Sequence, residues 1–209
     1  MPPDHFTHQT SLIAILRGVL PSRVLEIGDV LYDAGIRAIE VPLNSPDPFA
    51  SIAALAAQRS DWLIGAGTVL NTEDVGRAHD AGARLILAPN CNVEVIRRAA
   101  ARGMHVLPGI ATATEAFTAL DAGTRMLKLF PAVTYGPRHL EALGAVLPRD
   151  VRVFPVGGIG AQDIPRWLAA GAGGFGLGSE LFRPDYPLAD IARRAAELVQ
   201  VLKNAQTKT

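Results

Sequence analysis

Eight short apolar runs, each followed by a longer amphipathic stretch, recur along this chain and leave few folds open to it. The runs are "SLIAILRG" (11–18), "IRAIEVPL" (36–43), "WLIGAGTV" (62–69), "RLILAPN" (84–90), "HVLPGIA" (105–111), "RMLKLFP" (125–131), "VRVFPVGG" (151–158) and "GFGLGS" (174–179). Near-continuous hydrophobicity over so few residues is how parallel strands read, because helices cover both faces of the sheet. The stretches near 22–34, 47–58, 72–80, 92–102, 113–121, 137–147, 161–170 and 187–203 read as those helices. Their ends agree. "DAG" closes three of them, at 33–35, 80–82 and 121–123, and "ARG" (101–103) and "AAG" (169–171) close two more. A glycine after the last turn adopts the left-handed conformation that stops a helix. At the start of another helix, Thr112 and Glu115 have capping-box spacing.

Eight strand-then-helix units in order predict a (β/α)8 TIM barrel. No linker or low-complexity stretch interrupts the 209 residues, so one domain is expected over 1–209. The rival architecture is a doubly wound open sheet. It calls for a glycine-rich turn after the first strand, and "ILRGVLPS" is not a dinucleotide fingerprint.

Composition removes several classes of function. Twenty basic residues balance twenty acidic ones, so there is no basic field for nucleic acid and no polybasic stretch for a membrane surface. No apolar run approaches the roughly 20 residues of a spanning helix, and "MPPDHFTHQT" carries no signal-peptide pattern. Cys91 is the single cysteine, which excludes a disulfide framework and fits a cytoplasmic location. The five histidines (His5, His8, His79, His105, His139) show no ligand spacing, so neither a metal nor a cofactor is expected. His79 and His105 read as surface residues, and Cys91, without a histidine partner, as incidental.

Barrel enzymes work at the C-terminal ends of their strands. Those ends carry Arg17, Glu40, Thr68, Asn90, Pro108, Lys128, Gly157–Gly158 and Gly178–Ser179. In the second strand Glu40 alternates with Ile39 and Val41; in the sixth Lys128 alternates with Leu127 and Leu129. One face of a barrel strand meets the helices and the other the interior. A charge is poorly placed against packed helices, so both Glu40 and Lys128 are expected to point inward. A buried ion pair that only fills space stabilises little, and arginine would serve it well. Yet the chain uses arginine for every cationic side chain before Lys203 except Lys128. An amine, unlike a guanidinium, loses its proton readily and attacks a carbonyl. Lys128 is therefore the candidate Schiff-base nucleophile, and Glu40 the carboxyl that shuttles its protons.

The glycine loops "VGGIGAQD" (156–163) and "GLGSE" (176–180) end the last two strands, where barrels often hold phosphate on backbone N–H groups. Gly157, Gly158, Gly178 and Ser179 are the candidates, although glycines that only make tight turns would look the same. Arg17 either grips a carboxylate in a bidentate fork or makes an ion pair at the rim. Thr68 either binds that carboxylate or caps the next segment.

Seven stretches, "IEVPLNSP", "IGAGTVL", "LAPN", "LPGIATATEA", "LKLFPA", "VGGI" and "GLGSEL", make the chain similar to the class I aldolases that cleave 2-keto-3-deoxy-6-phosphosugars. The resemblance runs from about residue 11 to residue 183. It implies Lys128 as the Schiff-base lysine, Glu40 as acid and base, phosphate on the "GGI" and "GSEL" loops, and a homotrimer; Asn90, at the end of its strand, is a further substrate-binding candidate. The gluconate-type enzymes commonly read "EVTLRT" and "TGGI" where this chain reads "EVPLNS" and "VGGI". With Asn44, Val156 and "ILRG" it resembles the 6-phosphogalactonate group instead. Asn44 stands where the gluconate type has an arginine, and Arg17 is expected to bind the substrate carboxylate in its place. The alternatives are the gluconate epimer, or a phosphosugar isomerase or epimerase on the same barrel, which needs no nucleophilic amine. A non-catalytic sugar-phosphate binder gives no reason for lysine at 128.

Overall fold

The computed structural model describes residues 11–207; the N-terminal segment with His5 and His8, and Lys208, lie outside the described residues. Strands and helices alternate: β1 (Ser11–Ile15), α1 (Val24–Ala34), β2 (Ala38–Pro42), α2 (Pro48–Gln58), β3 (Leu63–Gly67), α3 (Thr72–Asp80), β4 (Leu85–Leu87) and α4 (Val93–Ala100). Then come β5 (His105–Leu107), β6 (Gly109–Ile110), α5 (Ala113–Asp121), β7 (Met126–Leu129), α6 (Ala132–Tyr135) and α7 (Pro137–Gly144). The chain continues with β8 (Arg152–Pro155), a 3-10 turn (Ala161–Asp163), α8 (Ile164–Ala169), β9 (Gly174–Leu177) and α9 (Leu188–Gln206).

The helix-ending glycines behave as their positions predict. Gly35 has φ +103° and donates to Tyr32 O at 2.9 Å, while Ile36 N reaches back to Leu31 O at 2.9 Å. This closes the orphan carbonyls of α1. The Thr112–Glu115 capping box is present in both directions, with Thr112 N donating to Glu115 Oε2 at 2.9 Å. These N–H bonds, first that from Ala111, hold the Glu115 carboxyl below its ordinary value.

All pairings are parallel. Six strands form one sheet in the order β5-β4-β3-β2-β1-β9, and three form another in the order β6-β7-β8. The fifth apolar run accounts for the division. Pro108 has no N–H to give to a ladder, so the run splits there: His105–Leu107 pairs with β4, and Gly109–Ile110 with β7. Its carbonyl still accepts from Lys128 N at 2.9 Å. On the other side a parallel bridge at Val156 and Gly176 joins β8 to β9. The helix expected at 137–147 is preceded by α6, and the one expected at 161–170 begins as the 3-10 turn before α8. Among the described residues no helix is long and apolar enough to cross a membrane.

Strand alternation sorts the core into two parts. Leu12, Ala14, Ile39, Val41, Leu127 and Leu129 face the helices in the larger apolar cluster. Ile13, Ala38, Leu63, Leu85, Leu87, Leu107, Met126 and Phe154 form a second cluster on the opposite strand faces. Burying a side chain such as Leu63 or Phe154 contributes about 1.5–3 kcal/mol. This second cluster is the floor beneath the candidate site.

Candidate active site

Glu40 and Lys128 are on the strand faces that carry the inner cluster. Glu40 follows Ala38 at spacing two and is 2% exposed; Lys128 follows Met126 and is 6% exposed. Gly67 makes the space for the carboxylate. A β-carbon there would overlap Glu40 Oε2, so the "GAG" of β3 leaves open the volume that the carboxyl group fills. Glu40 Oε2 is buried without a hydrogen-bond partner. Lys128 Nζ lies 4.5 Å from the centroid of the Phe130 ring.

The two groups feel each other without a direct ion pair. Burial pushes the Glu40 carboxyl up to about 7, against the opposing pull of Lys128 and Arg17. Burial also holds the Lys128 amine below the ordinary lysine value, Glu40 opposes that shift, and Arg17 adds to it. Each shift favours the neutral form, which an amine needs to attack a carbonyl and a carboxyl needs to give up a proton near neutrality.

Beyond this pair opens a cavity of about 550 Å³, lined by Ile15, Arg17, Phe130, Val156, Gly157, Gly158, Ile159, Gly178, Ser179 and residues 180 and 182–184. The structure thus brings Arg17, Val156 and both glycine loops to one wall system, with Phe130 between them and Lys128. Gly157 and Gly158 have φ +100° and +73°. Both are conformations open to glycine without strain. Among the described residues, the N–H groups of Gly158 and Ser179 make no hydrogen bond. Lys128 is level with Phe154 in the ladder; Gly157 is three residues further along, about 10 Å at strand rise.

Val156 is 3% exposed, and its methyl groups occupy the space above Gly176 beside Ile15. Thr68 follows Gly67 half-buried with φ +58°, a strained backbone for a β-branched residue. Asn90 is exposed in the loop after β4, and neither it nor Thr68 lines the cavity. A different cavity of about 480 Å³ lies at the opposite strand ends, among His105, Arg125, Arg149 and Arg152, and holds none of the candidate residues. The chemistry of the side chains, rather than cavity size, decides between the two.

Sequence reasoning missed several contacts. Arg17 Nη1 donates to Asn44 Oδ1 at 2.6 Å, an amide partner rather than a rim acid. His139 Nε2 is 2.6 Å from Ala111 O and its ring is 4.9 Å from that of Tyr135, so it ties α7 to the loop after β6. Phe130 shares the inward face of Lys128, a signal that alternation did carry.

A family model described as KDPG and KHG aldolase matches residues 4–193. The chain is 48% identical over 195 residues to the 2-dehydro-3-deoxy-6-phosphogalactonate aldolase of Escherichia coli (strain K12), covering 93% of this chain and 95% of that one. A solved native KDPGal structure superposes with a TM-score of 0.92 at 48% identity, over 94% of this chain and 96% of the other. A Legionella pneumophila KDPG aldolase with pyruvate captured as a covalent carbinolamine superposes with a TM-score of 0.82 at 25% identity, over 98% of each chain.

Proposed function

Because the chain belongs to the KDPG and KHG aldolase family, we propose that it cleaves 2-dehydro-3-deoxy-6-phosphogalactonate to pyruvate and D-glyceraldehyde 3-phosphate through a Schiff base on Lys128. The observation that carries this reading is a desolvated amine and a desolvated carboxyl sharing one interior. The Lys128 amine attacks the keto carbon, and the carbinolamine loses water to give the iminium. Glu40 takes the proton of the C4 hydroxyl. The C3–C4 bond breaks, its electron pair enters the iminium as an enamine, and the aldehyde departs. A proton returned to C3 gives the pyruvate iminium, which water hydrolyses to free the lysine.

The remaining assignments belong to the same reading. Arg17 and Thr68 bind the carboxylate, Asn90 contacts substrate at the rim, and Gly157, Gly158, Gly178 and Ser179 hold the phosphate. The architecture is one closed (β/α)8 domain; of the span 1–209 expected for it, residues 1–10 and 208–209 lie outside the described residues. The strand order, the Val156–Gly176 bridge and the bond from Gly173 N to Val153 O at 2.9 Å support closure. Family likeness supports a homotrimer, which light scattering would test against the 22.1 kDa chain, and the lone Cys91 is compatible with the cytoplasm.

The direct test is cleavage of the galactonate and gluconate epimers side by side. The galactonate epimer is expected to be turned over at least as efficiently, and a strong gluconate preference would overturn the subgroup assignment. Val156→Thr sharpens the test. Val156 lies beside the phosphate loops, where threonine would offer a hydroxyl to one C4 configuration and valine offers none. The ratio of kcat/KM is expected to move toward the gluconate epimer by about 10-fold, or roughly 1.4 kcal/mol; an unchanged ratio puts the choice of epimer elsewhere.

Ser179→Ala is expected to raise KM for the phosphorylated substrate by more than it alters reaction of the unphosphorylated analogue. Some loss will appear in kcat, since remote binding energy helps position the reacting carbon. Equal effects on both substrates would put the phosphate elsewhere.

A further inference from the structure

Arg17 is exposed on the cavity wall, yet its charge reaches both Glu40 and Lys128. A guanidinium at the end of a long, exposed side chain ordinarily samples many rotamers. Here the loop after β2 restrains it twice. Asn44 Oδ1 accepts from Arg17 Nη1 at 2.6 Å, and the Ser45 hydroxyl accepts from Gly18 N at 2.9 Å. Ser45 is buried and its own N–H is bonded to Pro42 O at 2.9 Å, so the latch is anchored to the end of β2. From the other side, Pro184 closes on Gly18.

We propose that Asn44 is a positioning residue of this site: its neutral side-chain carbonyl fixes the Arg17 guanidinium on the cavity wall and leaves the full positive charge free for the carboxylate of the keto acid. The inference rests on the Schiff-base reading above. Its point is the choice of an amide. Aspartate could reach the same nitrogen, but it would pair with Arg17, compete with the substrate carboxylate and cancel the field that Arg17 sends to the amine. Glutamine would be too long to hold the same geometry. Asparagine orients without neutralising.

The test uses the full chain and pyruvate as the probe, with borohydride trapping on Lys128 followed by mass spectrometry as a function of pyruvate concentration and pH. Asn44→Asp is nearly isosteric. It is expected to raise the half-saturating pyruvate concentration about 10-fold and to move the pH midpoint of trapping upward, because Lys128 loses the influence of Arg17 while Glu40 continues to favour its charged form. Asn44→Ala is expected to weaken saturation several-fold while leaving that midpoint nearer to wild type. Both should melt close to the wild-type temperature, since Asn44 is exposed. A merely structural role would shift melting and leave saturation and the pH midpoint alone. Wild-type saturation by pyruvate in both variants would overturn the proposal while leaving the Schiff-base reading intact. Failure of the wild type itself to be trapped would overturn that reading and this inference with it.

Discussion

Borohydride reduction in the presence of pyruvate is expected to fix a single adduct on Lys128. The imine formed at the buried amine is reduced to a stable secondary amine, and a digest would place the added mass on the peptide containing residues 126–131. The companion variant is Lys128→Arg. It keeps a cation on the inner face of β7 beside Phe130, but a guanidinium does not deprotonate in a protein. Turnover should fall on the order of 10⁴-fold or more, the scale on which removal of an enzymatic nucleophile acts. The protein should remain folded, because charge and approximate length are retained. An adduct elsewhere, or residual activity near wild type, would remove Lys128 from the chemistry and leave it a buried cation.

Glu40→Gln is expected to slow cleavage by roughly 10²–10⁴-fold, with much less effect on substrate affinity. The amide fills the space over Gly67 that the carboxylate filled, so packing is preserved. Near-normal turnover would reduce Glu40 to a partner that tunes Lys128. The same variant carries a stability signature. The Glu40 carboxyl rises from an ordinary 4.5 to about 7 on folding, chiefly through burial. The folded state therefore binds the proton more tightly than the unfolded chain does. The associated stabilisation is complete below about 4.5 and lost as pH rises through about 7. Relative to Glu40→Gln, the wild type should lose roughly 3 kcal/mol of unfolding free energy across that window. Chemical denaturation at several pH values would measure it, and parallel curves for the two proteins would contradict so large a shift.

What could be read from the chain follows from which interactions are local or periodic. Strand alternation at 38–42 and 126–130 specifies the inward face of Glu40 and Lys128, because a period of two permits no other arrangement once one face is covered by helices. The helix-ending glycines at Gly35 and Gly123 are legible for the same reason, as is the Thr112–Glu115 cap. The break at Pro108 is not, since "HVLPGIA" has the hydrophobicity of one continuous strand and only the pairing partners reveal two. Residues that meet across long stretches of chain leave no local mark. The Arg17–Asn44 contact spans 27 positions and that of His139 with Ala111 spans 28. Gly67 reads as an ordinary strand glycine, because the carboxylate that requires it comes from a neighbouring strand.

The inner apolar cluster has a kinetic consequence. Ala38 and Met126 lie two residues N-terminal to Glu40 and Lys128 on the same inner strand faces and are buried with Leu63, so the carboxyl and the amine are approached from the strand C-terminal ends. A sugar acid bound as proposed enters through one mouth, with its keto end deepest and its phosphate outermost at the glycine loops. The two fragments of cleavage then queue in the same channel. The phosphorylated aldehyde, nearer the opening and no longer bonded to anything, leaves first. Pyruvate, still tethered to the lysine behind it, is released last. In the direction of synthesis the order inverts, and a keto acid that arrives after the aldehyde finds its way to the amine blocked.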